Sequence, residues 1–154
     1  MTRGSMKNYQ RAILYVEDNP DDVFFMRRAL AEAKVENPVH HLGSGREAID
    51  YLGGHGAYAD RSRFPFPALV LLDLQLPQGN GLDVLRWIRS RPEFDSLLVI
   101  VLTSSAHPRD VDAAYTLGAR SYLVKPNTPE DLKLLVESWK MYWIGHNQFP
   151  LRKE

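Results

Sequence analysis

Short apolar segments alternate with amphipathic segments along most of the chain. Five apolar runs have the length and composition of β-strands, and they cover 11–16, 38–42, 68–72, 97–102 and 120–124. The runs ALVLL and LLVIVL contain no polar residue, which is typical of strands buried on both faces of a parallel sheet. Between the runs, apolar residues recur at helical spacing, as in Leu82, Leu85 and Ile88.

Helix-start signals precede the amphipathic segments. Asn19 can cap a helix that runs from Pro20 to about Ala33, with two acids in its first turn. Ser44 and Glu47 match a capping box, which predicts a second helix through residue 52. The remaining helices are predicted after the turn at 77–81, over 108–117 and from Thr128, the last with the apolar stripe Leu132, Leu135, Val136, Trp139 and Tyr142 or Trp143.

Five strands alternating with five helices predict an α/β domain with a parallel sheet and helices on both faces. Because crossovers are right-handed, we expect the flavodoxin-like (βα)5 doubly wound sheet with strand order 2-1-3-4-5. Ligands bind such sheets beyond the carboxyl ends of strands 1 and 3. Residues 53–67 are rich in Gly, Pro, His and Arg and predict a long irregular loop. We assign 9–145 to this domain, 1–8 to a disordered or expression-derived N-terminus and 146–154 to a C-terminal tail.

The composition narrows the range of functions. The chain of 154 residues has 19 basic and 19 acidic side chains and no cysteine. The absence of cysteine excludes disulfides, a thiolate nucleophile and cysteine-ligated metals, and it suits a cytoplasmic protein. Balanced charge argues against a dedicated nucleic-acid binder. The longest apolar runs are far shorter than the ~20 residues that span a bilayer, so we expect no membrane partner.

Reactive side chains follow four of the predicted strands. Glu17 and Asp18 come directly after the first strand, Asp73 after the third, Thr103 after the fourth and Lys125 after the fifth. Because the carboxyl ends of parallel strands share one edge of the sheet, these five side chains should converge. Three neighbouring carboxylates need a counter-charge to stay ionised. The hard oxygen ligands favour Mg²⁺ or Mn²⁺ over zinc.

The same cluster suits a phosphoryl group. A divalent ion, an ammonium group and a hydroxyl can together neutralise and orient a phosphoryl group beside an aspartate. Carboxylates also form acyl-phosphate intermediates. The capping of the next helix is the structural alternative for Glu17 and Asp18 taken alone, and a solvated lysine is the alternative for Lys125.

Four segments resemble the signatures of the response regulator receiver domain. They are Val16–Asn19 (VEDN), Leu71–Pro77 (LLDLQLP), Leu102–Ser105 (LTSS) and Tyr122–Pro126 (YLVKP). Asp73 precedes Thr103 by 30 positions and Lys125 by 52, which fits the spacing of that family. The resemblance covers roughly residues 11–140.

The resemblance implies a phosphorylation site. Asp73 would accept a phosphoryl group from a phosphohistidine of a sensor histidine kinase, and Thr103 and Lys125 would hold phosphoryl oxygens. Mg²⁺ would be bound directly by Asp18 and Asp73, through water by Glu17 and by the backbone carbonyl of Gln75. The domain would catalyse its own phosphotransfer and dephosphorylation without acting on an outside substrate.

The resemblance also implies a switch. Tyr122 matches the family's switch aromatic, which turns inward when Thr103 moves toward the phosphoryl group; a half-buried strand tyrosine is the alternative. Gln75 and Ser105 fall where the family tunes its dephosphorylation rate. Both isomers of the Lys125–Pro126 bond stay open, since the family allows a cis bond whereas most X–Pro bonds are trans.

Two features resemble the single-domain regulators that pair with phytochrome-type sensor kinases: the long segment between Ser44 and Asp73, and an aromatic tail over Trp139–Phe149. This implies a histidine-kinase partner, allows a homodimer and suggests that no output domain follows. The tail could instead pack on its own domain, or it could form a dimer or partner surface.

Two other functions use the same residues. Haloacid-dehalogenase-type phosphatases also form an aspartyl phosphate, but they carry a second aspartate where this chain has Gln75. A binding scaffold that works without phosphorylation is the other alternative, although such proteins usually lose part of the acidic site. Phosphorylation with a small phosphodonor separates these functions.

Overall fold

The structure, a computed structural model, describes residues 6–150. A five-stranded parallel sheet has the order β2-β1-β3-β4-β5, so the flavodoxin-like prediction is confirmed. The strands are β1 (Ile13–Val16), β2 (Val39–Leu42), β3 (Leu69–Leu72), β4 (Leu98–Thr103) and β5 (Ser121–Val124). The helices are α1 (Pro20–Glu32), α2 (Gly45–Gly53), α3 (Gly81–Arg89), α4 (Pro108–Thr116) and α5 (Pro129–Trp139). The N-terminal residues 1–5 and the last four residues of the predicted tail lie outside the described residues.

Alternating strand residues build two cores, one on each face of the sheet. Val16, Leu72 and Val101 pack with residues of α2, α3 and α4. Tyr15, Leu71 and Ile100 pack with α1 and α5 on the other face. The parallel register aligns Val16 with Leu72 and Leu72 with Val101, so the carboxyl ends of the central strands meet at one edge.

The predicted caps start the helices at this edge. The Asn19 side chain accepts hydrogen bonds from the backbone N–H groups of Asp21 (2.9 Å) and Asp22 (3.1 Å). Ser44 accepts one from the Glu47 N–H at 3.1 Å. The capping box is shifted by one residue, because the Glu47 carboxylate accepts from the N–H of Gly43 and not from that of Ser44. These caps fix the direction in which α1 and α2 leave the sheet.

The predicted irregular loop contains a short 3₁₀-helix, Gly56–Ala59. Arg61 holds the loop against α2, because its guanidinium donates to the backbone carbonyls of Tyr51 (2.8 Å) and Leu52 (3.0 Å). Two further 3₁₀ turns are Asn8–Gln10 and Pro92–Phe94.

The chain beyond α5 continues as a π-helical segment, Lys140–His146. Trp139 is buried and Trp143 packs against the core of the α1–α5 face, whereas Tyr142 is 60% exposed. The apolar stripe therefore continues through Trp143. Asn8 ties this segment to the N-terminal turn by donating to the carbonyls of Ile144 (2.9 Å) and Asn147 (2.8 Å). Within residues 6–150, no helix has the length and apolar character needed to cross a bilayer.

Candidate functional site

Three carboxylates lie beyond the carboxyl ends of β1 and β3. Glu17 and Asp18 directly follow β1, and Asp73 directly follows β3. The carboxylate oxygens that the three residues offer lie within 4.8 Å of one another. Glu17 is 1% exposed and Asp73 is 4% exposed, whereas Asp18 is open to solvent. The fold thus brings together the acidic cluster that the sequence predicts.

The turn under Asp73 is fixed by backbone contacts. The Asp73 N–H donates to the Val16 carbonyl at 3.1 Å, and its Oδ1 accepts from the Gln75 N–H at 3.1 Å. Gly81, the first residue of α3, lies against this turn: a Cβ atom there would lie 2.3 Å from the Asp73 carbonyl oxygen. A glycine is therefore needed at position 81 for α3 to approach Asp73 so closely.

Glu17 is also held from several sides. Its Oε2 accepts from the N–H groups of Asp18 (3.1 Å) and Asn19 (3.2 Å). Nε2 of His41, on the neighbouring strand β2, lies 2.7 Å from the Glu17 carbonyl oxygen. The Glu17 carboxylate is thus fixed at the start of the β1–α1 loop, and its other oxygen, Oε1, faces the cluster.

Lys125 reaches the acids from the other side of β4. Its N–H donates to the Thr103 carbonyl at 2.8 Å, and the bond to Pro126 is trans. The Nζ atom donates to Oδ2 of Asp73 at 2.9 Å, to Oδ2 of Asp22 at 2.8 Å and to Oε1 of Glu17. The ammonium group is therefore shared among three carboxylates.

Asp22 was not among the predicted site residues. The sequence interpretation explained it as an acid that favours the first turn of α1, and this explanation required no partner. A signal was nevertheless present, because α1 begins at the edge of the sheet where Lys125 was expected. The acid in its first turn lies within reach of that lysine.

The contacts set the charge of the site. Burial raises the pKa of Glu17 to about 7, with a further contribution from Asp73 and against the effect of Lys125. Burial also opposes ionisation of Asp73, but hydrogen bonds from Lys125 and the Gln75 N–H outweigh it and lower its pKa. Burial disfavours the Lys125 ammonium, yet its bonds to Asp22, Glu17 and Asp73 raise its pKa. Asp73 is thus ionised and paired at neutral pH.

Thr103 is the last residue of β4, beside β3, and it is fully buried. Its Oγ1 has no hydrogen-bond partner among the described residues. Leaving a buried hydroxyl unpaired costs roughly 1–3 kcal/mol. A hydroxyl without a partner at this edge is available to a ligand oxygen.

The residues 13–137 match the family model of the response regulator receiver domain. The chain belongs to the response regulator receiver family. It is thus a receiver domain of two-component signalling, and the matched range contains the whole sheet and every residue of the acidic cluster.

The receiver domain is similar to phytochrome-associated response regulators. Response regulator Rcp1 of Synechocystis sp. is 33% identical over 143 residues, which cover 93% of this chain and 95% of that protein. The phosphorylated cyanobacterial phytochrome response regulator RcpA has a crystal structure that matches with a TM-score of 0.85 and 32% identity, over 92% of this chain and 99% of that chain. The probable methanogenesis regulatory protein FilR2 of Methanothrix harundinacea is 39% identical over 138 residues, 90% of this chain and 86% of that protein.

The chemistry of the receiver's acidic cluster fits a divalent cation. Octahedral Mg²⁺ has oxygen ligands at about 2.0–2.1 Å, so its ligand oxygens lie roughly 3–4 Å from one another. The 4.8 Å limit on the carboxylate oxygens of Glu17, Asp18 and Asp73 is close to this spacing. A structure of Rcp1 in its Mn²⁺-bound form matches this chain with a TM-score of 0.82 and 32% identity, over 92% of this chain and 99% of that chain.

The switch and tuning candidates of the receiver lie beside the cluster. The Tyr122 hydroxyl donates to the Ser105 carbonyl at 2.8 Å. The Ser105 hydroxyl points to α4, where it donates to Asp110 at 2.6 Å. Ser104 donates to the Gln75 side chain at 3.3 Å. In this state Ser104, which was not among the predicted site residues, is the serine that contacts Gln75.

Proposed function

We propose that Asp73 accepts a phosphoryl group from a phosphohistidine of a sensor histidine kinase, in a step that depends on Mg²⁺. The observation that supports this most strongly is the pairing of Asp73 with Lys125 at 2.9 Å inside a cluster of carboxylates. Such a nucleophile is ionised, held in one orientation and surrounded by groups that stabilise a phosphoryl oxygen. The unpaired hydroxyl of Thr103 adds a donor at the same edge.

The transfer exchanges one bond to phosphorus for another. A carboxylate oxygen of Asp73 attacks the phosphorus atom while the bond from phosphorus to the imidazole nitrogen breaks, and that nitrogen keeps the electron pair and takes up a proton. Lys125 and Thr103 donate hydrogen bonds to the phosphoryl oxygens as charge spreads over them. Bound at Asp18, Asp73, the Gln75 carbonyl and, through water, Glu17, Mg²⁺ would neutralise part of that charge.

Phosphorylation then changes the surface of the domain. A hydrogen bond from Thr103 to the phosphoryl group would draw the end of β4 toward Asp73. The following loop carries the Ser105 carbonyl that Tyr122 contacts at 2.8 Å, so movement of the loop and of the Tyr122 ring is coupled. Thr103, Tyr122 and the intervening helix α4 form the two-state element of the switch.

Hydrolysis ends the signal. Water attacks the phosphorus atom, the bond from phosphorus to the Asp73 oxygen breaks, and Asp73 keeps the electron pair as a carboxylate. Inorganic phosphate leaves, and the proton from the attacking water passes to solvent. Gln75 tunes this rate because its side chain flanks the approach of water, and Ser105 does so when its hydroxyl, which bonds to Asp110 in the present state, turns toward that approach. The bond between Ser104 and Gln75 supports the position of Gln75 over that approach.

The partner is a histidine kinase of the phytochrome type. The similarity to Rcp1 and RcpA supports this assignment. We also propose a homodimer through an exposed apolar face on α5 and the π-helical segment. It consists of Leu134, Met141 and Tyr142, which are 59%, 65% and 60% exposed.

The decisive experiment incubates the protein with Mg²⁺ and acetyl phosphate and measures the intact mass. We expect a gain of about 80 Da, one phosphoryl group, that requires Mg²⁺ and is lost in Asp73→Asn. Asp83→Asn, a change at an exposed aspartate of α3, should keep the adduct. A scaffold predicts no adduct in the wild type, and a phosphatase predicts rapid turnover of a phosphate monoester. Either result contradicts the proposal.

The kinase assignment has its own experiment. A radiolabelled phytochrome-type kinase should transfer its phosphoryl group to the wild-type protein within seconds to minutes, and an unrelated histidine kinase should transfer it much more slowly. Equal rates from both kinases would contradict the partner assignment but leave the role of Asp73 intact.

A further inference from the structure

The Lys125 ammonium has three N–H donors, and all three are in use. They bond to Glu17, Asp22 and Asp73. The three partners differ in burial: the Glu17 side chain is 1% exposed and the Asp73 side chain 4%, whereas the Asp22 side chain is 40% exposed. Asp22 is thus the partner that contacts both Lys125 and solvent.

A phosphoryl oxygen on Asp73 requires a donor from Lys125, so one of the existing bonds must break. Glu17 is buried, and its second oxygen is fixed by two backbone N–H groups. Asp73 itself carries the phosphoryl group and stays close to it. Asp22 can be released at the lowest free-energy cost, because water reaches its carboxylate and the N-terminus of α1 favours its negative charge.

We propose that Asp22 is a positioning residue that holds Lys125 in the unphosphorylated protein and releases it when Asp73 is phosphorylated. This inference rests on the proposed function of Asp73. Asp22 stabilises the resting state and is detached both in the transition state and in the phosphorylated state. Its bond to Lys125 therefore slows phosphorylation and has no effect on hydrolysis.

Release also changes a neighbouring surface. Asp22, Lys125 and the buried Tyr15 line a cavity of about 250 Å³ between α1 and α5. While Lys125 is bound, the charge of Asp22 at this cavity is compensated. After release, the cavity carries an unpaired carboxylate, so the phosphorylated protein presents a more negative α1–α5 surface.

The test compares Asp22→Asn with Asp21→Asn. Both changes remove one negative charge from the first turn of α1, but Asp21 is exposed and its carboxylate has no partner among the described residues. At saturating Mg²⁺, a carboxylate oxygen of Asp73 attacks acetyl phosphate, the bond from phosphorus to the acetate oxygen breaks, and acetate leaves with the electron pair.

We expect Asp22→Asn to speed this phosphorylation about two- to fivefold over Asp21→Asn, the range of a partly exposed ion pair. The rate constant of hydrolysis should be the same in both variants. Equal phosphorylation rates in the two variants, or a fall in both rates for Asp22→Asn, would overturn the inference. A wild-type protein that forms no adduct would instead overturn the proposed function.

A second measurement is independent of rates. Beryllium fluoride forms a stable phosphoryl mimic on carboxylates, and a crystal structure of that adduct gives the distance from Lys125 Nζ to Asp22 Oδ2 directly. The inference expects the present 2.8 Å to lengthen beyond about 4 Å, the limit of an ion pair. An unchanged distance in the adduct contradicts it.

Discussion

The Nζ atom of Lys125 lies 2.9 Å from Oδ2 of Asp73, although the two residues follow strands that are separated by β4. The lysine side chain extends past the end of β4 to make this contact. The pair joins the proposed phosphoryl acceptor to its counter-charge, and it connects the edge strand β5 to the centre of the sheet.

Removing the lysine should therefore destabilise the metal-free protein. Lys125→Met leaves Glu17 and Asp73 without their counter-charge, and we expect the free energy of unfolding to fall by about 3 kcal/mol. Mg²⁺ should restore much of this loss, because the ion supplies the missing charge. Denaturant unfolding with and without Mg²⁺ measures both effects. Lys133→Met removes an exposed ion pair with Glu137, and it should cost less than about 1 kcal/mol.

Removing the unpaired hydroxyl of Thr103, unlike removing the lysine, should not destabilise the protein. Thr103→Val replaces Oγ1 with a methyl group of similar size, so we expect the unfolding free energy to stay equal or rise by about 1 kcal/mol. Phosphorylation by acetyl phosphate should slow at least tenfold, and Thr103→Ser should recover most of the rate. A destabilised Thr103→Val with an unchanged rate would show that the hydroxyl serves the fold.

Glu17 gives the site a pH dependence. Its ordinary pKa of 4.5 is raised to about 7 in the folded protein, so the folded state binds the proton more tightly than the unfolded chain. The stability from this protonation is complete below pH 4.5 and is lost as the pH rises through about 7. The pKa of Asp73 is lowered in the folded protein, so its ionisation stabilises the fold above the ordinary pKa of an aspartate, and this contribution is lost as the pH falls through the lowered pKa.

Mg²⁺ competes with the Glu17 proton. The rise in thermal midpoint caused by Mg²⁺ should therefore be larger at pH 8 than at pH 5.5. In Glu17→Gln, which has no group to titrate, the two increments should become similar. A Mg²⁺ effect in the wild type that does not change between these pH values would contradict the raised pKa of Glu17.

Two glycines differ in how closely they are packed, and together they test the packing of α3 beneath Asp73. A Cβ at Gly81 would lie 2.3 Å from the Asp73 carbonyl oxygen, whereas a Cβ at Gly43 would meet no atom within 4 Å. Gly81→Ala should cost about 1–3 kcal/mol of stability, as overpacking does, and should lower the phosphorylation rate. Gly43→Ala should change both values little. Thermal unfolding and the acetyl phosphate assay test the pair together.

The arrangement of the sheet could be predicted because it depends on local patterns. All five strands were expected within two residues of their observed ends, since apolar runs and helix caps mark them. The meeting of Asp73 with Lys125 followed from the topology of a parallel sheet, which brings the carboxyl ends of its strands to one edge.

Side-chain contacts between distant elements could not be predicted in this way. Asp22 contacts Lys125 and its neighbour Asp21 does not, and the sequence pattern of α1 gives no reason to choose between these two acids. The Ser105 hydroxyl bonds to Asp110 on α4, although its place in the sequence pointed to the phosphoryl site. Beyond α5, the π-helical segment is anchored by Lys140, which donates to the carbonyls of Ala33 and Lys34 at 3.0 Å each.

Substitutions at Trp143 and Tyr142 test separately whether the tail packs on its own domain and whether it forms a dimer surface. Trp143 packs on the core, so Trp143→Ala should lower the unfolding free energy by about 2 kcal/mol. Met141 and Tyr142 are exposed, but the Tyr142 ring packs edge-on against Trp143 with centroids 5.0 Å apart, so Met141→Ser combined with Tyr142→Ser should lower the unfolding free energy by about 1 kcal/mol.

If the exposed face joins two copies, this double variant should have half the mass of the wild type in light scattering. Exposed aromatic and methionine side chains are typical of interfaces, and serine removes their apolar contacts. A wild-type dimer that persists in the double variant would place the interface elsewhere. A monomeric wild type at high micromolar concentration would rule out the homodimer.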